Sequence, residues 1–181
     1  FTNELKMMGH VWHHDGEILI AAKGSAEQIL TICKLSDLER QLIEAKIETM
    51  SKQGLRVIAV GVMKPGSEAE IPKSILDCSL SFYGLIGLAD PPRESVKADI
   101  KCCTDAGVRV VMITGDNGIT ASSIAKQIGM PNSDQIITGD ELNNMSDEEL
   151  RKRIRDVSIF SRVVPEHKMR IVKAFKDNGE I

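Results

Sequence analysis

Three short stretches of the chain hold side chains suited to a phosphoryl group. The first is Thr114-Gly115-Asp116, at the end of the apolar run Val110-Val111-Met112-Ile113 and directly before a helical pattern. In open α/β sheets the ligand crevice lies at the carboxyl ends of the strands. There Thr114 offers a hydroxyl, Gly115 lets backbone amides approach an anion, and the next helix presents its positive end. An ordinary strand–helix turn with Asp116 as the helix cap is the competing reading. The second stretch is Arg162-Val163-Val164-Pro165-Glu166-His167-Lys168. Its proline marks a helix start, and Lys168 falls in the first turn, where a cation opposes the helix dipole unless an anion is near. A plain surface lysine is the alternative. The third is Lys23-Gly24-Ser25-Ala26-Glu27, where a strand-end lysine beside a glycine either holds a nucleotide phosphate as a point charge or is simply solvated. Neither the Walker pattern nor the GxGxxG dinucleotide fingerprint occurs.

Other polar clusters fit structural roles. His10, His13 and His14 crowd one run, but residues 10 and 13 of a strand face opposite sides, so no metal site is expected. Asp147-Glu148-Glu149 followed by Arg151-Lys152-Arg153 matches the helix dipole, acids first and bases last. Cys33, Cys78, Cys102 and Cys103 lack paired metal-ligand spacing and read as buried, reduced thiols.

The elements that must position these residues fall into two unlike parts. In the first, extended runs over 6–13 and 17–22 flank Asp15-Gly16, a hairpin signal. Ser25 and Ser36 then open helices, the second stopping at Gly54, and a buried strand is predicted over 55–63. A long apolar strand over 80–89 ends in Asp90-Pro91-Pro92-Arg93, where the prolines forbid further pairing. Beyond it, helices over 94–106, 119–128, 147–156 and 166–176 alternate with strands over 108–113 and 157–161, the pattern of a parallel sheet. A net charge of −3 argues against a protein that coats nucleic acid, and 3% aromatic residues leave no stacking platform for single strands. The fold class expected is therefore α/β, a mixed α+β part over 1–84 followed by a parallel-sheet part over 85–181.

Taken in order, these features resemble the cytoplasmic catalytic region of P-type cation-transporting ATPases, in particular the calcium-pump-like branch. The resemblance spans nearly the whole chain. It rests on the opening Phe1 to Met8, Lys23-Gly24-Ser25-Ala26-Glu27, Gly54-Leu55-Arg56, Gly87-Leu88-Ala89-Asp90-Pro91-Pro92-Arg93, Thr114-Gly115-Asp116 and Arg162 to Lys168. The Asp-Pro-Pro-Arg and Thr-Gly-Asp motifs in this order and separation are the most specific.

By that resemblance, residues 1–84 are the later portion of a nucleotide-binding domain. Phe1 stacks on adenine, Lys6 and Met8 flank the base, Lys23 and Gly24 lie deeper in the pocket, and Arg56 reaches the phosphates. Residues 85–181 are a portion of a haloacid-dehalogenase-like phosphorylation domain. Thr114 and Gly115 would bond the transferred phosphoryl oxygens, Asp116 would organise the site, and Lys168 would neutralise charge on an aspartyl phosphate. Arg162 is a further candidate phosphate or nucleotide contact, and Asp90 and Arg93 mark a hinge.

Both parts are expected to be incomplete. The resemblance implies ATP and Mg2+, with the phosphorylated aspartate and most magnesium ligands outside this stretch. It also implies actuator and transmembrane domains elsewhere in a membrane protein whose region seen here is cytoplasmic. The stretch by itself would be soluble, inactive, and prone to self-association through an open edge of its parallel sheet, left by the missing strand that carries the phosphorylated aspartate. A self-standing nucleotide-binding regulatory module without a transport role is the alternative. No nucleic-acid partner is expected.

Overall fold

The computed structural model describes residues 5–180. Their contacts divide the chain into two units: the residues up to Met50 with Val57–Leu88, and Ser51–Arg56 with the residues from Ala89 onward.

The first unit is built on a four-stranded sheet in the order β1-β2-β3-β4. β1 (Met7–His14) and β2 (Glu17–Ser25) form an antiparallel hairpin. Asp15 and Gly16 turn it with φ of 47° and 79°, the left-handed pair a two-residue hairpin requires. β2 runs antiparallel to β3 (Arg56–Met63), and β4 (Ser81–Leu88) lies outermost. Between β2 and β3 come α1 (Ala26–Thr31) and α2 (Asp37–Lys52). The two serines expected to open these helices cap both. Gln28 N–H donates to Ser25 Oγ, while Ser36 and Glu39 exchange bonds in a capping box. Met7, Ile20, Ala22, Ile29, Ala59 and Leu80 close the core.

The second unit carries a three-stranded parallel sheet in the order β5-β7-β6, comprising β5 (Met112–Ile113), β6 (Ile136–Thr138) and β7 (Ile159–Ser161). Around it lie α3 (Val96–Asp105), α4 (Gly118–Gln127), α5 (Gly139–Asn144), α6 (Asp147–Arg153) and α7 (Pro165–Asp177). β7 is wholly buried, and its Phe160 meets Phe175 of α7 edge-on at 6.3 Å. Arg109 lies over the same Phe175 ring and donates to the carbonyls of Ile154 and Val157. Leu142, Leu150, Ile154 and Ile171 fill the space beneath the helices.

Several elements differ from expectation. The strand predicted over 108–113 forms ladder bonds only at Met112 and Ile113, because Val108 is 55% exposed and β5 stands at the sheet edge with β7 as its neighbour. β6 and α5, not expected from the sequence, arise where a three-residue strand runs straight into a helix. The cysteines divide as well. Cys33 and Cys78 are buried, and burial pushes both thiols above the usual range. Cys102 is exposed and Cys103 half-buried, because α3 buries none of its residues.

The β6–α5 junction is held by charge. Glu141 accepts from the Thr138 amide at 2.8 Å and from its hydroxyl, and pairs with Arg153. These contacts, the amide foremost, hold its carboxyl below the usual glutamate range against a smaller opposing effect of burial. Arg170 does the same for Asp147. A carboxylate with a lowered folded-state pKa stabilises the fold above its unfolded pKa, and that stability is lost as pH falls through the folded value. Melting of the second unit should therefore fall as pH drops below about 5. Glu141→Gln should melt lower at neutral pH and flatten that dependence, and an unchanged slope in thermal scans would count against this assignment.

Candidate functional site

In the first unit, sheet register gathers part of the predicted nucleotide set. Met8 stands directly opposite Lys23, and Met7 opposite Gly24. The Lys6 carbonyl accepts from the Ser25 amide at 2.9 Å. Lys23 is exposed, while Lys6 and Met8 are half-buried. Gly24 is required by close approach, since a Cβ there would lie 2.5 Å from Met7 Cα and from the Lys6 carbonyl oxygen. Lys6 itself takes a left-handed backbone with φ of 48°, which costs a side-chain-bearing residue about 1 kcal/mol. The strand crossing at residues 6–8 and 23–24 is thus tight, with one ammonium group in solvent beside it. Phe1 lies outside the described residues. A separate groove of about 490 Å³ runs between α2 and β4, lined in part by Leu42, Met50, Phe82 and Leu85. It is largely apolar and includes none of the predicted nucleotide residues.

In the second unit, the ends of β5 and β7 are stitched together by backbone bonds. The Thr114 amide donates to Phe160 O at 2.9 Å, Val163 N–H to Thr114 O at 3.3 Å, and Arg162 N–H to Asp116 O at 3.2 Å. Two motifs 46 positions apart in sequence therefore share one edge, the carboxyl end of a parallel sheet. Arg162 makes its bond from a left-handed backbone with φ of 56°, an arrangement of the kind that collects at functional loops.

Asp116 is not the cap of α4. Asn117 takes that role, its Oδ1 accepting from the Ile119 amide at 2.8 Å. The Asp116 carboxylate is turned to other partners. Its Oδ2 accepts from the Thr114 hydroxyl at 3.2 Å, while that hydroxyl oxygen in turn accepts the Asp116 amide at 3.0 Å. Its Oδ1 takes both Nε, at 2.8 Å, and Nη2 of Arg56. Arg56 belongs by contacts to this second unit, so the structure groups it with Asp116. No local pattern in the sequence signals that ion pair, because 60 positions separate its members.

Lys168 is exposed in the first turn of α7. Its neighbour His167 is buried and fixes that turn. Val164 N–H donates to His167 Nδ1 at 3.3 Å, which leaves the ring proton on Nε2 to reach Asn143 Oδ1 at 2.8 Å. Asp90 and Arg93 lie in the exposed stretch between β4 and α3. Gly115 is exposed, with nothing within 4 Å of the position a Cβ would take. His13 bonds Glu68 at 2.6 Å, and no group of three metal-ligating side chains forms among the described residues.

Residues 1–95 match the family described as P-type ATPase, cytoplasmic domain N. The chain belongs to the P-type cation-transporting ATPase family. It is 36% identical to calcium-transporting ATPase 1 of Bacillus cereus over its whole length, which is 22% of that protein. A calcium-transporting ATPase of Bacillus subtilis is 44% identical over 76% of the chain and 16% of the relative. A sodium/potassium-exporting P-type ATPase of Schizosaccharomyces pombe is 32% identical over 96% of the chain and 19% of the relative. The chain thus spans about a fifth of the length of the family members it matches. Among the described residues, no helix is long and apolar enough to cross a membrane.

Proposed function

We propose that the chain is the ATP-binding and phosphoryl-transfer region of a cation pump that passes through an aspartyl phosphate. The observation that carries the reading is the shared edge of the second unit. Thr114 and Gly115 stand at the carboxyl end of a parallel strand, in a loop whose Thr114 and Asp116 carbonyls accept from Val163 and Arg162, with the Asp116 carboxylate freed from helix capping. Phosphoryl transfer needs little covalent chemistry from a protein and much positioning and charge stabilisation, and this edge is built for positioning.

In this reading Lys6, Met8, Lys23 and Gly24, with Phe1, contact the nucleotide in a nucleotide-binding portion over 1–84. Arg56 contacts its phosphates. The portion over 85–181 is haloacid-dehalogenase-like, with Asp90 and Arg93 at the hinge between the portions. Thr114 and Gly115 bond the transferred phosphoryl oxygens, and Lys168 offsets their charge from a helix turn held by His167. Arg162 is a further phosphate contact. The donors present fit a polyphosphate: ammonium, guanidinium and hydroxyl groups, with exposed glycine backbone. Bound Mg2+ would neutralise phosphate charge, and its ligands are assigned largely to parts of the pump beyond this stretch. Those parts include the phosphorylated aspartate, the actuator and the membrane helices, and the region described here faces the cytoplasm.

Open edges are part of the same proposal. β4 is outermost in its sheet, and its eight residues, Ser81 to Leu88, carry no charge, with Tyr83 76% exposed. Such an edge is a template for pairing. Sedimentation velocity of the isolated chain should show concentration-dependent self-association that Tyr83→Lys reduces, and a monomer at every concentration would refute it.

Calorimetric titration should show ATP binding to the chain, weakened about tenfold by Lys23→Ala through loss of a charge-assisted contact. The chain should show no magnesium-dependent ATP hydrolysis. Equal affinity in the variant, or measurable turnover, would contradict the assignment.

A further inference from the structure

The segment Ser51–Arg56 groups with the second unit although only its last residue belongs to a strand, β3. Two side chains of α4 hold it. Thr120 Oγ1 donates to the Leu55 carbonyl at 3.0 Å, and Ser123 Oγ donates to the Lys52 carbonyl at 2.9 Å. Residues three apart share a helix face, so both grips come from one side of α4. Helical serines and threonines commonly bond back to their own helix three or four residues earlier. These two turn outward instead.

Gly54 fits the segment to that face. Its φ is +81°, and a Cβ there would lie 2.9 Å from Gln127 Nε2 and 3.5 Å from Ser123 Oγ. Thr120 is 3% exposed, where valine would fill the same volume, so shape alone does not require the hydroxyl. The residue after Leu55 is Arg56, whose guanidinium rests on Asp116. Asp116 lies in the loop that opens α4. One helix therefore governs both ends of the pair, the carboxylate through its entry loop and the arginine through two hydroxyls.

We propose that Thr120 and Ser123 are positioning residues that set Arg56 over the Thr114–Asp116 loop by gripping the carbonyls of Leu55 and Lys52. The proposal rests on the reading above in which Arg56 meets nucleotide phosphates. An arginine on an unanchored segment would have to be ordered each time phosphate arrives, and pre-ordering removes that cost from binding.

The test uses the 181-residue chain with Thr120→Val and Ser123→Ala combined, and two readouts. NMR of the Arg56 Nε–H group should show a slowly exchanging proton in the parent chain, lost in Asp116→Asn and in the double variant. Thr120→Ser, which keeps a hydroxyl, should retain it. ATP affinity should fall about three- to tenfold in the double variant, and adding Arg56→Ala should then weaken it no further, because the hydroxyls act through that arginine. An unchanged Arg56 signal in the double variant, or additive losses with Arg56→Ala, would overturn the proposal. If the parent chain binds no ATP, the functional reading fails, and the Arg56 signal still decides whether the hydroxyls position the side chain. Should the double variant melt below the assay temperature, Ser123→Ala alone, at a half-exposed site, takes its place in both measurements: a lost Arg56 signal supports the proposal and an unchanged one overturns it.

Discussion

The second unit depends on the parallel pairing of β5 with β7. The ladder is short, Met112 with Ile159 and Ile113 with Phe160, but the chain continues past it on both sides through cross-bonds from Thr114, Arg162 and Val163. Those bonds fix where a hydroxyl, an exposed glycine and a carboxylate stand relative to the segment leading into α7. Because β7 is buried on every residue and backed by α4 and α7, the edge inherits the rigidity of the core. Sites on rigid elements hold their geometry better than sites on free loops.

The first unit solves a different problem with an antiparallel crossing. There Lys23 stands opposite Met8 and Gly24 opposite Met7. Gly24 allows the Met7 backbone to approach, and the alternation of the pleat leaves Lys23 exposed across from Met8. The apolar groove along α2 is of another kind, as it lacks the cluster of cationic donors that a polyphosphate requires.

Local signals in the sequence carried much of this. Asp15-Gly16 needs two left-handed residues and formed the hairpin, and Ser25 and Ser36 each capped a helix. The Thr114 and Arg162 stretches also fell at strand ends as their flanking apolar runs required. What stayed hidden depends on distance in sequence or on short length. A three-residue strand such as β6 shows no period, and the ladder lost over Val108 to Val111 depends on which neighbours exist. The cap of α4 was one residue from where the turn alone suggested, since Asn117 competed successfully with Asp116. The Arg56 pair and the two α4 hydroxyls arise only when 51–56 folds against α4 and the loop before it, 60 to 71 positions later.

Everything proposed for the first unit turns on whether the crossing of β1 with β2 binds an adenine nucleotide. A photoactivatable ATP analogue, cross-linked to the chain and mapped by peptide mass spectrometry, reads this out without relying on any variant. Label is expected on peptides carrying Lys6 to Met8 or Lys23, suppressed by excess ATP. Label concentrated along α2 and β4, or spread without competition by ATP, would contradict a nucleotide site at that crossing.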